Sequence, residues 1–445
     1  MNIVKLTYIT GIALLLASCA GERDDDPIFS KGNKPILFNT SLPAVTSRAQ
    51  VVTKENLDYF HVTSFNPSDP KLEDGHLEEF FRNVLVEKDV DTDQYKSDYC
   101  IWPSSDQEAN VLTFFAYYPA VNGDAKLDNS STVSGGIPDF NYKITNFSVA
   151  QNIAEQTDFI TAWATGSMKD NLLDGINLEF KHQLSRVEVK AKNTGNSYKI
   201  EIAGILIGGT YSEATFDFKP KVGAGDWILG DVKKNVQYIY SAGDKIVTIE
   251  NTPSGVSIMG CTQYDNYAML LPSEYTGWNY ENDKTNLNQG LYLGVLLRVV
   301  DTKGKQQYPY TDTYQGPDAL DIPKVYLAVD GGNTVMSGQL YKGEDGTYFT
   351  DSDMTTAYTL PQGSTVREFG WSAIPISGDW KPGYFYTYTL DYTYGIGLHA
   401  PDVKPSKGPN AGDPIFSDKV GLTVSVKGWQ NGSVSSSSIN VPGSI

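Results

Sequence analysis

The sequence predicts an all-β protein, and three observations support that class. Apolar residues occupy every second position through residues 384–392 and again through residues 420–426, the pattern of strands with one buried face. Residues 111–119 are almost continuously apolar and end at a proline, which indicates a strand covered on both faces. Clusters of Gly, Asn, Asp, Ser and Pro separate these segments, as sandwiches of short strands require.

Further strands are predicted over residues 34–40, 57–62 and 157–163. Residues 76–88 are ambiguous, because Leu77, Phe81 and Val84 belong to an apolar stripe with helical spacing while residues 80–86 are rich in β-formers. Local pattern alone leaves helix and strand open there.

Residues 185–192 have apolar side chains at 187, 189 and 191 and charged side chains at 186, 188, 190 and 192. This alternation predicts a half-exposed antiparallel strand. The apolar phase then slips by one residue between Ile202 and Ile205, which predicts a β-bulge at Ala203 and Gly204.

The chain of 445 residues is too long for one hydrophobic core, so two domains are expected. The predicted division is a signal peptide at 1–18, an acidic flexible tether at 19–34, two β-sandwiches at 35–178 and 179–429, and a Ser-rich tail at 430–445.

The N-terminus resembles a bacterial lipoprotein signal. Lys5 precedes a mostly apolar run over residues 6–16, which is shorter than the ~20 residues that span a membrane. Leu16, Ala17 and Ser18 then lead into Cys19, and the resemblance implies that Cys19 carries acyl chains such as palmitate and holds the chain on the outer membrane. The alternative is an ordinary cleaved signal with a chance cysteine.

Residues 22–26 contain four acidic side chains and one arginine, and they predict a solvated tether. Their position directly after Cys19 also resembles a surface-export signal, and a plain spacer is the alternative. The formal net charge of −18 argues against nucleic acid as a partner. Cys100 and Cys261 are the other two cysteines; a disulfide between them and two separate buried thiols are both compatible with an oxidising compartment.

No catalytic residue, metal site or cofactor is predicted. The four histidines, at positions 61, 76, 182 and 399, have no metal-ligand spacing, and His182 is interpreted as a structural hydrogen-bonding residue. Residues 89–93 imitate the start of a calcium loop, but Gln94 and Cys100 stand where Gly and Glu are needed. They are interpreted as a solvated acidic turn, and the protein is predicted not to be an enzyme.

Several sequence pieces, in this order, resemble the fimbrillin (Mfa-like) family of pilin-type surface lipoproteins. The pieces lie at residues 36–38 with 46–49, 101–103 with 112–119, 157–162, 180–189, 380–383 with the tyrosine ladder that follows, and the last Val-rich strand up to Trp429. The resemblance implies two transthyretin-like β-sandwiches, and it favours a strand over residues 81–86.

The resemblance also implies a way of assembly. Cleavage after Arg48, which makes Ala49 the new N-terminus, would remove the first strand, and a strand from another subunit would fill the groove. An ordinary exposed loop is the alternative for Arg48. The donor would be the tail, through Ile439, Val441 and Ile445, although Pro442 lacks a backbone N–H and a disordered tail competes with this reading.

The function predicted from the resemblance is a pilus (fimbrial) subunit, tip or accessory protein that supports cell adhesion. Its expected partners are other pilus subunits or itself, the outer membrane, and a ligand on a host or bacterial surface. The alternative is an outer-membrane glycan-binding lipoprotein that does not polymerise, suggested by the seven Trp and 28 Tyr residues.

Overall fold

The computed structural model describes residues 34–42, 52–69, 72–73, 75–121, 123–221, 225–260, 267–310, 323–401, 409–416, 420–428 and 434–435. Regular structure in these residues is almost entirely β, which confirms the predicted fold class. Helical residues are confined to Ser105–Gln107 and Ile153–Glu155, which are 3₁₀ helices, and the single-turn α-helix α1 (Met168–Asn171). None of these helices is long and apolar enough to cross a bilayer.

The strands of the N-terminal part come first in chain order. They are β1 (Phe38–Ser41), β2 (Tyr59–Phe65), β3 (Leu72–Glu73), β4 (His76–Leu77), β5 (Phe81–Lys88), β6 (Tyr95–Lys96), β7 (Leu112–Tyr118), β8 (Lys126–Asn129), β9 (Thr132–Ser134), β10 (Ile137–Asp139), β11 (Tyr142–Ser148), β12 (Ile160–Gly166), β13 (Ile176–Glu179) and β14 (Lys181–His182).

The remaining strands follow. They are β15 (Ser185–Asn193), β16 (Tyr198–Tyr211), β17 (Glu213–Phe218), β18 (Gly225–Leu229), β19 (Lys233–Ile239), β20 (Val247–Ile249), β21 (Thr252–Ser257), β22 (Ala268–Leu270), β23 (Ser273–Tyr275), β24 (Tyr292–Asp301), β25 (Gln306–Tyr308), β26 (Val325–Asp330), β27 (Asn333–Thr334), β28 (Tyr341–Lys342), β29 (Tyr348–Phe349), β30 (Thr365–Pro375), β31 (Gly378–Trp380), β32 (Tyr384–Asp391), β33 (Leu398–His399), β34 (Gly421–Gly428) and β35 (Val434–Ser435).

The first large sheet has the strand order β13-β1-β6-β5-β2-β7-β12-β14. Phe38 of β1 packs edge-on against Phe60 of β2 and Phe114 of β7, with ring centroids 5.9 and 5.7 Å apart. Because β6 and β5 separate β1 from β2 within the sheet, these contacts require the sheet to curl around a common core. Strand β7 is buried on both faces, as its apolar run predicts.

Strand β5 settles the ambiguity over residues 76–88 in favour of a strand. It lies between β2 and β6, with Phe60 opposite Val86 and Tyr95 opposite Lys88. Backbone pairing on both sides satisfies the hydrogen-bonding groups of the segment, and this tertiary gain outweighs the helical spacing of its apolar residues.

The C-terminal part has two large sheets that face each other across the biggest apolar cluster of the described residues. One has the order β21-β15-β32-β34-β35, with β22 also paired to β15, and the other contains β19-β16-β24-β30-β26-β27. The register of β16 against β24 shifts between Ile202 and Gly204, which confirms the predicted bulge.

The prediction of a half-exposed antiparallel strand at residues 185–192 is confirmed only in part, since Lys190 and Lys192 are half-exposed. Strand β15 pairs antiparallel with β21 and β22, but on its other side it runs parallel to β32, and Arg186 and Glu188 are buried. The Arg186 guanidinium carbon lies 3.2 Å from the ring centroid of Tyr267 and 4.4 Å from that of Phe385. The rings of Tyr267 and Phe385 therefore cover the Arg186 side chain. The alternating pattern of the sequence predicts that this side chain faces solvent.

A four-stranded sheet, β18-β17-β11-β8, joins the two parts of the chain. Strand β11 comes before the boundary predicted at residues 178/179 and its partner β17 comes after it. Phe115, Tyr142 and Phe218 share one apolar cluster here. The two-domain division stays a prediction, and its boundary is crossed both by this sheet and by the first large sheet, which includes β14.

Candidate functional site

Strand β1 is held in the N-terminal core by a small set of backbone contacts. Its four residues pair in parallel with β13, from Phe38 opposite Ile176 to Ser41 opposite Glu179. On its other side β1 pairs with β6 only at Phe38, opposite Tyr95. We call this place, formed by β13, β6 and the core beneath β1, the β1 seat.

Backbone hydrogen bonds fix the register of the chain in the β1 seat. The Ile176 and Phe180 N–H groups donate to the carbonyls of Leu37 at 2.8 Å and Ser41 at 2.9 Å. The Ile36 N–H donates to the Cys100 carbonyl at 2.8 Å, and the Trp102 N–H donates to the Lys34 carbonyl at 3.0 Å. If this segment left the β1 seat, the backbone groups of β13 and of residues 100–102 that bond to it would need new hydrogen-bond partners. Water or another strand would have to supply them.

Two apolar side chains insert from this segment into the core. Ile36 and Phe38 are fully buried, two residues apart, and belong to the same cluster as Phe60, Phe114 and Phe180. Burying each such side chain contributes about 1.5–3 kcal/mol. Apolar insertion, together with the backbone bonds, therefore holds β1.

Asn39 closes the exposed side of the seat with its side-chain amide. Its Nδ2 donates to the Asp174 carbonyl at 2.6 Å and to Oδ1 of Asn177 at 3.3 Å. Gln94 donates from Nε2 to Oδ1 of Asn39 at 3.4 Å. Short loops on both sides of β1 thus contact the same side chain.

A second anchor lies where the described chain resumes after residue 51. The Val52 N–H donates to Oδ2 of Asp158 at 3.1 Å, and Nδ1 of His182 lies 2.7 Å from the same oxygen. The side chains of Asp158 and His182 are fully buried. His182 is thus a structural partner, and the Asp158 carboxylate ties Val52 to β14 independently of β1.

Of the site residues predicted from the sequence, Cys100 lies among the residues that the structure describes and the others do not. Cys19, Arg48, Ala49, Cys261, Ile439, Val441 and Ile445 lie outside the described residues. Cys100 is buried beneath the β1 seat, and burial raises the pKa of its thiol, which disfavours the reactive thiolate. Its pairing with Cys261 stays a prediction. Within the segment predicted as a Ser-rich tail, Val434 and Ser435 form β35 beside β34.

The acidic turn at residues 89–93 pairs with lysines. Asp93 is 2.8 Å from Lys88 and 3.1 Å from Lys54, and Asp89 pairs with Lys96. Hydrogen bonds from Lys88 and then Lys54 lower the pKa of the Asp93 carboxyl. No group of three or more His, Cys, Asp or Glu side chains in the described residues is arranged to hold a metal ion.

Sequence reasoning missed two residues of this site. Gly175 has a φ of +74°, and a Cβ there would lie 2.8 Å from the Leu37 carbonyl oxygen, so only glycine lets β1 approach so closely. Asp158 is the one charged residue of the predicted strand segment 157–163, two residues before β12 begins. An acid in such a setting signals a buried, partnered carboxylate, and that signal could have identified it.

We expect Gly175→Ala to loosen the β1 seat and to lower the free energy of unfolding by about 2 kcal/mol, since left-handed backbone strain adds to the collision with Leu37. Gly136→Ala is the matched control, because its φ of +79° is similar and nothing lies within 4 Å of its Cβ position. Urea unfolding of both variants measures the difference. Equal losses would show that Gly175 makes no special room for β1.

Comparison with known proteins places the chain in a family. Residues 47–316, more than half of the chain, match the family described as fimbrillin-like. The chain belongs to this family, as its sequence pieces predict. No curated protein sequence matches the chain.

Solved structures of low identity were also found. A candidate cell adhesion protein from Parabacteroides distasonis is 10% identical with a TM-score of 0.38, covering 89% of this chain and 100% of that one. A candidate cell adhesion protein from Bacteroides uniformis is 12% identical with a TM-score of 0.37, covering 89% and 99%. The fimbrial anchor protein Mfa2 from Porphyromonas gingivalis is 12% identical with a TM-score of 0.25, covering 62% and 80%. At these scores the structural similarity supports no functional statement, and the family assignment rests on the sequence match.

Proposed function

We propose that this chain is a surface lipoprotein that assembles with fimbrial subunits, or with copies of itself, by exchange of strand β1. In this proposal Cys19 anchors the precursor to the outer membrane until a protease cuts between Arg48 and Ala49. Membership of the fimbrillin-like family supports a structural, adhesive role at the cell surface and not catalysis.

The β1 seat is the observation that carries the proposal. Strand β1 is joined to its own core by a four-residue parallel pairing with β13, a single pairing with β6 and the buried side chains of Ile36 and Phe38, and Arg48 follows it in the sequence. A strand of another subunit could restore the same backbone bonds if it carries two apolar side chains two residues apart. Ile439 and Val441 have that spacing.

The hydrogen bond between Val52 and Asp158 supports the expectation that cleavage removes little structure beyond β1. Because Asp158 binds the Val52 N–H, the chain that follows the proposed cut stays attached to β14 by a contact that does not involve β1. Cleavage would then remove β1 and leave the remaining fold in place for an incoming strand.

Identification of the N-terminus in surface fractions by mass spectrometry tests the proposal. We expect the native chain to begin at Ala49 and to form multimers that resist mild detergent, whereas Arg48→Ala keeps the lipidated Cys19 form and removes the multimers. Lys54→Ala is the control, since it removes a nearby basic residue with an exposed side chain downstream of the cut. Multimers made only of uncleaved chains would refute strand exchange by this route.

A further inference from the structure

A cleft of about 430 Å³ lies in the C-terminal part, beside strands β16 and β19 and the loop before β24. Five residues that line it carry side-chain amides: Gln151, Asn235, Gln237, Asn286 and Gln289. Lys233 and Lys234 also line it, and none of the described residues in the lining is acidic. In a chain of net charge −18, this is a local concentration of neutral and basic groups.

A bulge in β16 forms one wall of the cleft. The register of β16 against β19 shifts between Ile207 and Thr210, and Gly209 has a φ of +78°. A Cβ on Gly209 would lie 2.6 Å from the Gly290 carbonyl oxygen, so the bulge brings β16 against the opposite loop. The Gly209 N–H donates to Oδ1 of Asn235 at 3.3 Å, which orients that amide. Bulges of this kind commonly aim side chains at binding sites.

The loop of residues 283–290, which forms the other wall, is stabilised by its own hydrogen bonds. Asp283 accepts 2.8 Å hydrogen bonds from the N–H groups of Leu287 and Asn288. Oδ1 of Asn286 accepts from the Gly290 N–H at 2.7 Å, and Nδ2 of Asn286 donates to the Gly290 carbonyl at 2.9 Å. Asn286 and Gln289 both have φ near +50°, at 52° and 50°. Asparagine tolerates this conformation, so Gln289 is the strained residue of the two, and backbone strain of this kind is found at ligand-binding sites.

Burial, and no carboxylate of the described residues, sets the electrostatic environment of the Lys233 ammonium group. Its ammonium nitrogen lies 4.8 Å from the ring centroid of Tyr211 and 3.5 Å from the Gln289 carbonyl oxygen. Partial burial lowers the pKa of this ammonium group, as expected when no anion offsets the lost hydration. Lys234 has only a loose, exposed contact with Glu213, at 3.6 Å.

We propose that this cleft binds an acidic oligosaccharide, with the lysines holding a carboxylate or sulfate and the amides holding sugar hydroxyls. Amides donate and accept side by side, which matches hydroxyls that do both, whereas an ammonium group only donates and so selects an anion. The volume suits a small-molecule site. Tyr292 lies in the lining but is buried, so it offers no open ring for stacking a nucleotide base. This inference does not depend on strand exchange.

Affinity electrophoresis of the full-length chain in detergent tests the site, using native gels that contain chondroitin sulfate, polygalacturonate or neutral dextran. We expect retardation by at least one acidic polymer and none by dextran. Lys233→Met keeps the apolar stem against Tyr211 and removes the charge, so it should weaken binding at least tenfold without unfolding the chain.

Lys221→Met is the matched control, because Lys221 is an exposed lysine that pairs with Asp226 at 2.7 Å outside the cleft. It changes the net charge equally and should leave the retardation unchanged. Equal loss in both variants would show that the effect is one of overall charge and would overturn the proposal. Retardation by dextran as strong as by the acidic polymers, or no retardation at all, would overturn it too.

Discussion

Replacing Phe38 with alanine is expected to lower the free energy of unfolding of the N-terminal core by about 3–5 kcal/mol. Phe38 is fully buried and contacts the rings of Phe60 and Phe114 edge-on. Its removal leaves a cavity beneath β1 and takes away the contacts that hold this strand to the core. Urea unfolding gives the overall loss. Hydrogen exchange of the amides of Ile176 and Phe180, which donate to β1, gives the local opening.

Tyr394→Ala is the control for this variant, because Tyr394 is 77% exposed. Its free energy of unfolding should stay within about 0.5 kcal/mol of the native value. If Phe38→Ala costs less than about 1 kcal/mol, or if protection at Ile176 and Phe180 is unchanged, Phe38 does not hold β1, and the proposed removable strand loses its physical basis.

Acid is expected to destabilise the C-terminal part through His399 before most carboxylates titrate. His399 is 1% exposed, and its Nδ1 has no hydrogen-bond partner among the described residues. Burial lowers its pKa from 6.5 to about 4, and the Asp413 charge opposes this only in part. Between these two pKa values the unfolded chain binds the proton and the folded chain does not. Stability therefore falls as pH falls from about 6.5 to about 4, by about 3 kcal/mol in total.

His399→Phe should remove this component of the pH dependence, since phenylalanine fills a similar volume beside Tyr308 and does not titrate. The measurement is urea unfolding at pH 7.5, 6.0 and 4.5. His76→Gln is the control, because His76 is exposed, and it should keep the native slope. A native-like slope in His399→Phe would mean that other groups cause the acid sensitivity.

Strand existence could be predicted from the sequence wherever periodicity and burial agree. Three features follow from local pattern and are predicted correctly: the strand with tyrosines from Tyr384 to Tyr392, the burial of both faces of β7, and the bulge before Gly204. Arg186 and Glu188 were assigned to the wrong environment. Their burial depends on Tyr267, Phe385 and Thr387, which are distant in sequence.

By itself the sequence determined the all-β class and, through the order of its pieces, the family. These properties follow from residue alternation, turn residues and motif order, which are local or cumulative along the chain. Only the tertiary structure decided which residues meet: β1 beside β13 across Gly175, Val52 on Asp158, and Lys233 beside the loop of Asn286 and Gln289. Such contacts depend on how distant strands register and pack, and a linear pattern does not contain that information.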